Sequence, residues 1–258
     1  MVHSEPPPFT FTPRSRRRGG LVVAALLMVG GSAGAGYGIG LTVIDENGDA
    51  PVTYVAADGA MAATLGGLLL AVVGAVAWLI MMDRFPRALS SWHALGLLLV
   101  PAAPGLVVAA RELGVGGWYD VVAAALATVG VLALLGGSLL AARRRLRWLE
   151  ELRLIAVGTP TVGTVVDSGL DPDDFEEASN VITTSSFRFT AADGTSYLVH
   201  RRVTVPAAVA IHEGQRTTVW YDPANPLDDR RIVVAMIHAL RWNVPVPGVP
   251  VEESVVPS

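Results

Sequence analysis

Few residues in this sequence have the types and spacing that chemistry demands. His200 and His212 fall in the C-terminal third, with no third metal ligand close to them in sequence. Zinc takes three or four protein ligands, so the pair is a weak metal signal. The acidic run Asp171, Asp173, Asp174, Glu176 and Glu177 lacks the mid-loop glycine and terminal spacing of a calcium loop, and reads as a solvated hairpin loop. Ser168, Ser185 and Ser196 are nucleophiles on paper only, since no G-x-S-x-G elbow and no phosphate-binding glycine loop occurs. The chain has no cysteine, which removes thiol nucleophiles, disulfides and cysteine metal sites. The expectation is a protein that is not an enzyme and has no catalytic, cofactor or metal site.

The most distinctive segment is Tyr221-Asp222-Pro223-Ala224-Asn225-Pro226. Asp and Asn side chains bond to nearby backbone and proline presets φ, so Asx-Pro pairs start turns. One reading makes the segment a structural strand terminator. The other makes Asp222 and Asn225 a polar recognition edge.

The elements around it alternate with period two. Thr161–Asp167, Val181–Ala191, Thr195–Val205, Gln215–Tyr221 and Arg231–Met236 read as strands. Asp193-Gly194 predicts a two-residue type I′ hairpin, which places Phe189 opposite Leu198 and Phe187 opposite His200. Phe187, Phe189, Ala191 and Leu198 then form the core face. Five short strands predict a small all-β domain over 159–236, a partly open β-barrel of oligonucleotide-binding (OB) or SH3-like type. Residues 237–258, with Pro245, Pro247, Pro250 and Pro257, predict a flexible tail.

Gly214 to Pro226 fits G-x-x-x-x-V-x-Y-D-P-x-N-P, preceded by Gly163-Thr164-Val165-Val166 and the Asp193-Gly194 hairpin. Together these resemble the bacterial membrane family called domain of unknown function 3592, over about Pro160 to Ala235. The resemblance implies architecture and no particular activity. By layout alone, the chain also resembles NfeD-like proteins, which partner membrane proteases or stomatin-type proteins.

Composition places this domain beside a membrane. Of 258 residues, 52% are hydrophobic and 16% charged, against about 25% charged in soluble domains. Mean hydropathy is +0.48. An ordinary soluble enzyme and a disordered chain are excluded. All 19 basic residues are Arg, which with abundant Ala, Gly and Val suggests a GC-rich bacterial genome. After a basic, Pro-rich tail over 1–20, four stretches without an ionisable Asp, Glu, Arg or His run over 21–44, 61–82, 94–110 and 121–142. A helical span needs about 20 apolar residues. The third is short and holds Pro101 and Pro104, so it reads as a kinked span or a re-entrant arm. Arg14, Arg16, Arg17, Arg18, Arg84, Arg87 and the run from Arg143 fall on one side of a four-span layout, and only Arg111 on the other. The positive-inside rule then puts both termini in the cytoplasm of a multi-pass inner (plasma) membrane protein. Arg14–Arg18, the following apolar run and Ala33-Gly34-Ala35 also mimic a cleavable signal peptide, which would remove the first span.

Residues 143–158 predict a juxtamembrane helix with Leu146, Leu149 and Leu152 in one stripe. Arg143, Arg144, Arg145 and Arg147 are candidate contacts for anionic lipid head groups, or simply a positive-inside anchor. Gly30, Gly34 and Gly38 permit close helix packing, either within the bundle or in a homo-oligomer. Spans without ionisable residues argue against a carrier. From Thr161 to Met236 there are six Arg against eleven Asp plus Glu, and that acidic balance argues against nucleic acid. The reading is a membrane-anchored cytoplasmic module for an unidentified protein partner. The alternative is an accessory subunit of a membrane enzyme or transporter.

Overall fold

The computed structural model describes residues 18–46, 55–82, 84–171, 173–209 and 211–246. The expected tails fall outside the described residues over 1–17 and 247–258. The described chain forms two units, divided between Arg145 and Leu146.

The first unit is helical: α1 (Arg18–Glu46), α2 (Val55–Met82), α3 (Ser91–Glu112) and the part of α4 (Trp118–Val157) that ends at Arg145. All four helices are long and apolar enough to cross a membrane. The shortest, α3, has 22 residues, which at 1.5 Å per residue gives about 33 Å, against a hydrocarbon core of about 30 Å. Pro101 and Pro104 both lie inside it, and it is one unbroken helix. It begins where the Ser90 side chain accepts the Trp92 N–H. That start puts His93, expected just before the span, within the helix.

Glycine decides how these helices meet. A Cβ on Gly67 of α2 would fall 2.3 Å from the Ala35 nitrogen of α1. One on Gly105 of α3 would fall 2.2 Å from the Ala33 carbonyl oxygen, on another side of α1. Thus α1 lies backbone to backbone against both α2 and α3. Hydrocarbon tails supply no hydrophobic drive between helices, so close van der Waals packing must hold them. Gly34 and Gly38 face α2, while a Cβ on Gly30 would meet nothing within 4 Å.

The second unit begins with the continuation of α4. At 40 residues, α4 is about 60 Å long, roughly twice the hydrocarbon core; its uncharged stretch ends at Ala142. Five strands follow: β1 (Thr159–Asp167), β2 (Asn180–Thr190), β3 (Ser196–Pro206), β4 (Arg216–Tyr221) and β5 (Ile232–Val234). They form an antiparallel sheet of order β3-β2-β1-β4-β5, curled into a half-barrel. A four-residue helix, α5 (Asp174–Glu177), sits in the acidic loop, and α6 (Ala235–Trp242) follows β5. The inner face packs Val165, Phe187, Phe189, Val199, Val205, Val219 and Tyr221 against Met236 and Ile237 of α6. On the outer face, Trp220 and Val233 are covered by Leu154 and Ile155 of α4 and by Val246. Gly158 joins helix to sheet without a side chain because a Cβ there would sit 2.5 Å from the Leu154 oxygen and 3.1 Å from that of Tyr221.

Three expectations are corrected. The hairpin register differs by one residue: Phe189 faces Tyr197 and Phe187 faces Val199. Ala191 N–H bonds to the Thr195 carbonyl, leaving a three-residue loop in which only Gly194 has positive φ, at 81°. A one-residue shift moves side chains to the opposite face, so Leu198 is exposed and Val199 is buried. Next, Met236 belongs to α6 and not to a strand, and residues 237–242 are helical rather than part of a tail. On the continuation of α4, Leu146 and Leu149 are exposed, whereas Glu151 is buried.

Candidate functional site

The Tyr221–Pro226 segment leaves β4 at the edge of the core. Tyr221 is 1% exposed and its ring lies tilted against that of Phe189, centroids 5.4 Å apart, while its hydroxyl accepts the Ala192 N–H at 2.8 Å. The strand end is thereby tied to the β2–β3 hairpin. Asp222 Oδ1 accepts the Ala224 N–H at 3.0 Å, closing an Asx turn. Its Oδ2 accepts from Arg231 at 2.6 Å. Those bonds from Arg231 and Ala224 hold the Asp222 carboxyl below its usual range. The Asn225 carbonyl accepts the Asp228 N–H; Pro223 and Asn225 are exposed and Pro226 is half-buried. Every polar atom of Tyr221 and Asp222 named here is used within the fold. Asp222, Pro223 and Arg231 also line a cavity of about 200 Å³ with Glu150, Arg153, Leu154, Val157 and Gly158. Its walls carry two guanidinium and two carboxylate groups.

A second polar cluster was not foreseen. Glu151, on the continuation of α4, accepts from His238 Nδ1 at 2.7 Å and Trp242 Nε1 at 2.6 Å through Oε2. Its Oε1 accepts from Arg241 at 2.7 Å. Burial alone would raise the Glu151 carboxyl, but the hydrogen bonds from His238 and Trp242 and the charge of Arg241 outweigh it, and the net shift is downward. Three donors at i, i+3 and i+4 of α6 thus converge on one carboxylate. The signal in sequence was the run His238, Arg241, Trp242, which has helical and not strand spacing.

The curled sheet leaves a seam between β3 and β5. Arg201 of β3 crosses it, donating to the carbonyls of Asp229 at 2.6 Å and Ile232 at 3.2 Å and to the Asp229 carboxylate at 2.6 Å. One guanidinium stands where a ladder of backbone bonds would close a full barrel.

The remaining candidates are dispersed. Ser185 is buried and donates to the Ser168 carbonyl, and Ser196 lies 3.2 Å from Thr190 Oγ1. His200 lies on the outer sheet face, 2.9 Å from Ser186 Oγ, a pairing that the serine inventory missed. His212 is in an exposed turn. Among the described residues, no three His, Asp or Glu side chains gather as a metal ion requires. In the helical unit, Arg144 donates to the carbonyls of Pro86 and Leu89 at 3.2 and 2.9 Å, so this member of the arginine run caps a loop. Arg143, Arg145 and Arg147 are exposed.

No curated protein and no solved structure matches the chain. Residues 161–228, from β1 to the turn after β4, match the family described as Domain of unknown function (DUF3592), the family that the Gly214–Pro226 pattern resembles, and the match lies after the four helices long and apolar enough to cross a membrane.

Proposed function

We propose that the protein is a non-enzymatic interaction module, held at the inner face of the plasma membrane by its four helices with both termini in the cytoplasm. The observation that carries this reading is the use made of its polar groups. The Tyr221 hydroxyl, both Asp222 oxygens and the Glu151 carboxylate are committed to bonds that fix the fold. A catalytic centre needs such groups aimed at a reacting atom. A binding module instead needs a rigid frame that presents surface. Asn225, Pro223 and the exposed Leu227 crown the turn that this frame holds.

In-membrane photo-cross-linking from a probe at Leu227 tests the reading, with recovery of one stoichiometric protein partner expected. Recovery of none under native expression would sink it. Asp222→Ala and Asn225→Ala separate the two readings of the motif. Loss of melting temperature with intact cross-linking makes the segment structural, whereas loss of cross-linking in a stably folded Asn225→Ala makes it a recognition edge. Phosphatase activity of a fusion at Ser258 would overturn the cytoplasmic placement.

One observation favours the alternative of an accessory subunit for a membrane enzyme or transporter. His93 lies within α3 with its ring against Gly137 of α4 and 3.5 Å from Ser138 Oγ, and ionisable residues inside spans mark function more often than packing.

A further inference from the structure

The net acidity of the β-domain conceals a segregation of charge. Of the eleven acidic residues between Thr161 and Met236, only Asp167 lies in a strand; the others lie in the segments between strands, three of them in α5. Four of the six arginines are in strands: Arg188, Arg201, Arg202 and Arg216. Arg201 is spent on the seam. The other three are exposed and alternate with buried core residues, so all three project from the outer face of the half-barrel.

The register fixes how they are spread. Arg216, Thr164, Arg188 and Leu198 form one row across β4, β1, β2 and β3. Asp167, Ser186 and His200 form another, and Thr184 faces Arg202 beyond it. With strands about 4.8 Å apart and residues about 3.3 Å apart, Arg216 and Arg188 are roughly 10 Å apart, and Arg202 lies about 13 Å along β3 from Leu198. The exposed aliphatic side chains Val162, Ile182 and Leu198 stand on the same face. Trp220 and Val233, at the β5 side of that face, are already covered by α4; the face from Arg216 at the start of β4 across to β3 is open.

We infer that the outer face of β1–β3, extended by the start of β4 at Arg216, docks on anionic lipid head groups through Arg188, Arg202 and Arg216. Charge complementarity selects an anionic partner, and two further observations choose the bilayer. The face mixes guanidinium groups with exposed aliphatic side chains, a combination suited to the head-group boundary. It presents no exposed aromatic ring for bases to stack on, as single-stranded nucleic acid binding would call for. The four apolar helices also tether the domain, so a bilayer is met at high effective concentration and weak contacts suffice. This interface is separate from the turn at Asn225 and stands whether or not that turn binds a protein.

The absence of cysteine makes a single label unambiguous. Full-length protein carrying Thr184→Cys with a fluorophore would be placed in nanodiscs of phosphatidylcholine, alone or mixed with phosphatidylglycerol, each doped with a quencher lipid. A matched protein labelled at Ala224→Cys serves as control. The expected result is quenching at position 184 that requires phosphatidylglycerol, falls with added salt and is absent at position 224. Each Arg near an anionic surface shifts docking by about fivefold, so the triple Arg188→Gln, Arg202→Gln, Arg216→Gln variant should weaken it on the order of a hundredfold. A preserved melting temperature in that variant shows that the loss is not unfolding; if it does unfold, the single Gln variants are read instead, each expected to lose about fivefold. Quenching that ignores lipid charge, or no quenching at position 184, overturns the proposal. So does a single-stranded oligonucleotide that binds this face while phosphatidylglycerol has no effect.

Discussion

The carboxylate of Glu151 lies 2.7 Å from Nδ1 of His238, a residue that follows it by 87 positions in the chain. Arg241 and Trp242 complete the same contact, and the Glu151 side chain is only 11% exposed. A buried charge that loses its partners is costly, because neither half of the pair regains water. Glu151→Ala would leave the Arg241 guanidinium and two buried donors without an acceptor. The expected loss is about 3 kcal/mol of unfolding free energy, with amide exchange accelerated first in α6. Glu151→Gln retains shape and one acceptor and should lie between the two. An Ala variant with unchanged α6 protection would show that the cluster contributes nothing to stability.

The same cluster sets a pH dependence. The Glu151 carboxyl titrates below its ordinary value in the folded state, so its contribution is complete above the unfolded value of about 4.3. It disappears as pH falls through the lower folded value. Asp222 shifts in the same direction through Arg231 and the Ala224 N–H, but it is exposed and adds little. Melting temperature should therefore hold steady towards neutrality and drop on acidification below the carboxylate range. Glu151→Gln should flatten that drop. A melting temperature that falls instead between pH 6 and 8 would contradict the assignment of Glu151 as the group that titrates.

These contacts also move the edge of the β-domain. Leu154 and Ile155 cover Trp220 and Val233, and Glu151 holds α6, so the domain needs the continuation of α4. A polypeptide spanning 146–246 should unfold in one cooperative transition. One spanning 159–246 exposes Trp220, strips α6 of its acceptor and should show a broad transition with dye binding. Equal cooperativity in the two would place the boundary at β1 after all.

The helical unit was readable because a bilayer imposes a length and forbids charge, and both are visible in a run such as Met61–Met82. The strands and the Tyr221–Pro226 turn were readable because alternation and Asx-Pro chemistry act over a few residues. The Glu151 cluster was not, since its partners are remote in the chain. The hairpin register failed on one local detail. Asp193-Gly194 suits a two-residue turn, but the Ala191–Thr195 bond encloses three residues and needs positive φ at Gly194 alone. The arginine face was illegible for a different reason: a balance of acids and arginines says nothing about which of them occupy strands and which occupy loops.

Arg201 offers a test of how far the half-barrel depends on its seam. Its side chain is 12% exposed, and the guanidinium binds two carbonyls and a carboxylate together. Lysine carries the same charge but not the planar fork, and cannot bridge the three acceptors at once. Arg201→Lys should cost about 1–2 kcal/mol and raise amide exchange along β5 while leaving β1 and β2 protected. Asp229→Asn removes only the exposed half of the ion pair and should cost much less, since exposed pairs are worth roughly 0–1 kcal/mol. If Asp229→Asn proved as damaging as Arg201→Lys, the seam would be held by the ion pair. If only Arg201→Lys is damaging, the backbone carbonyls of Asp229 and Ile232 are the acceptors that matter, and Arg201 closes the sheet as an absent strand would.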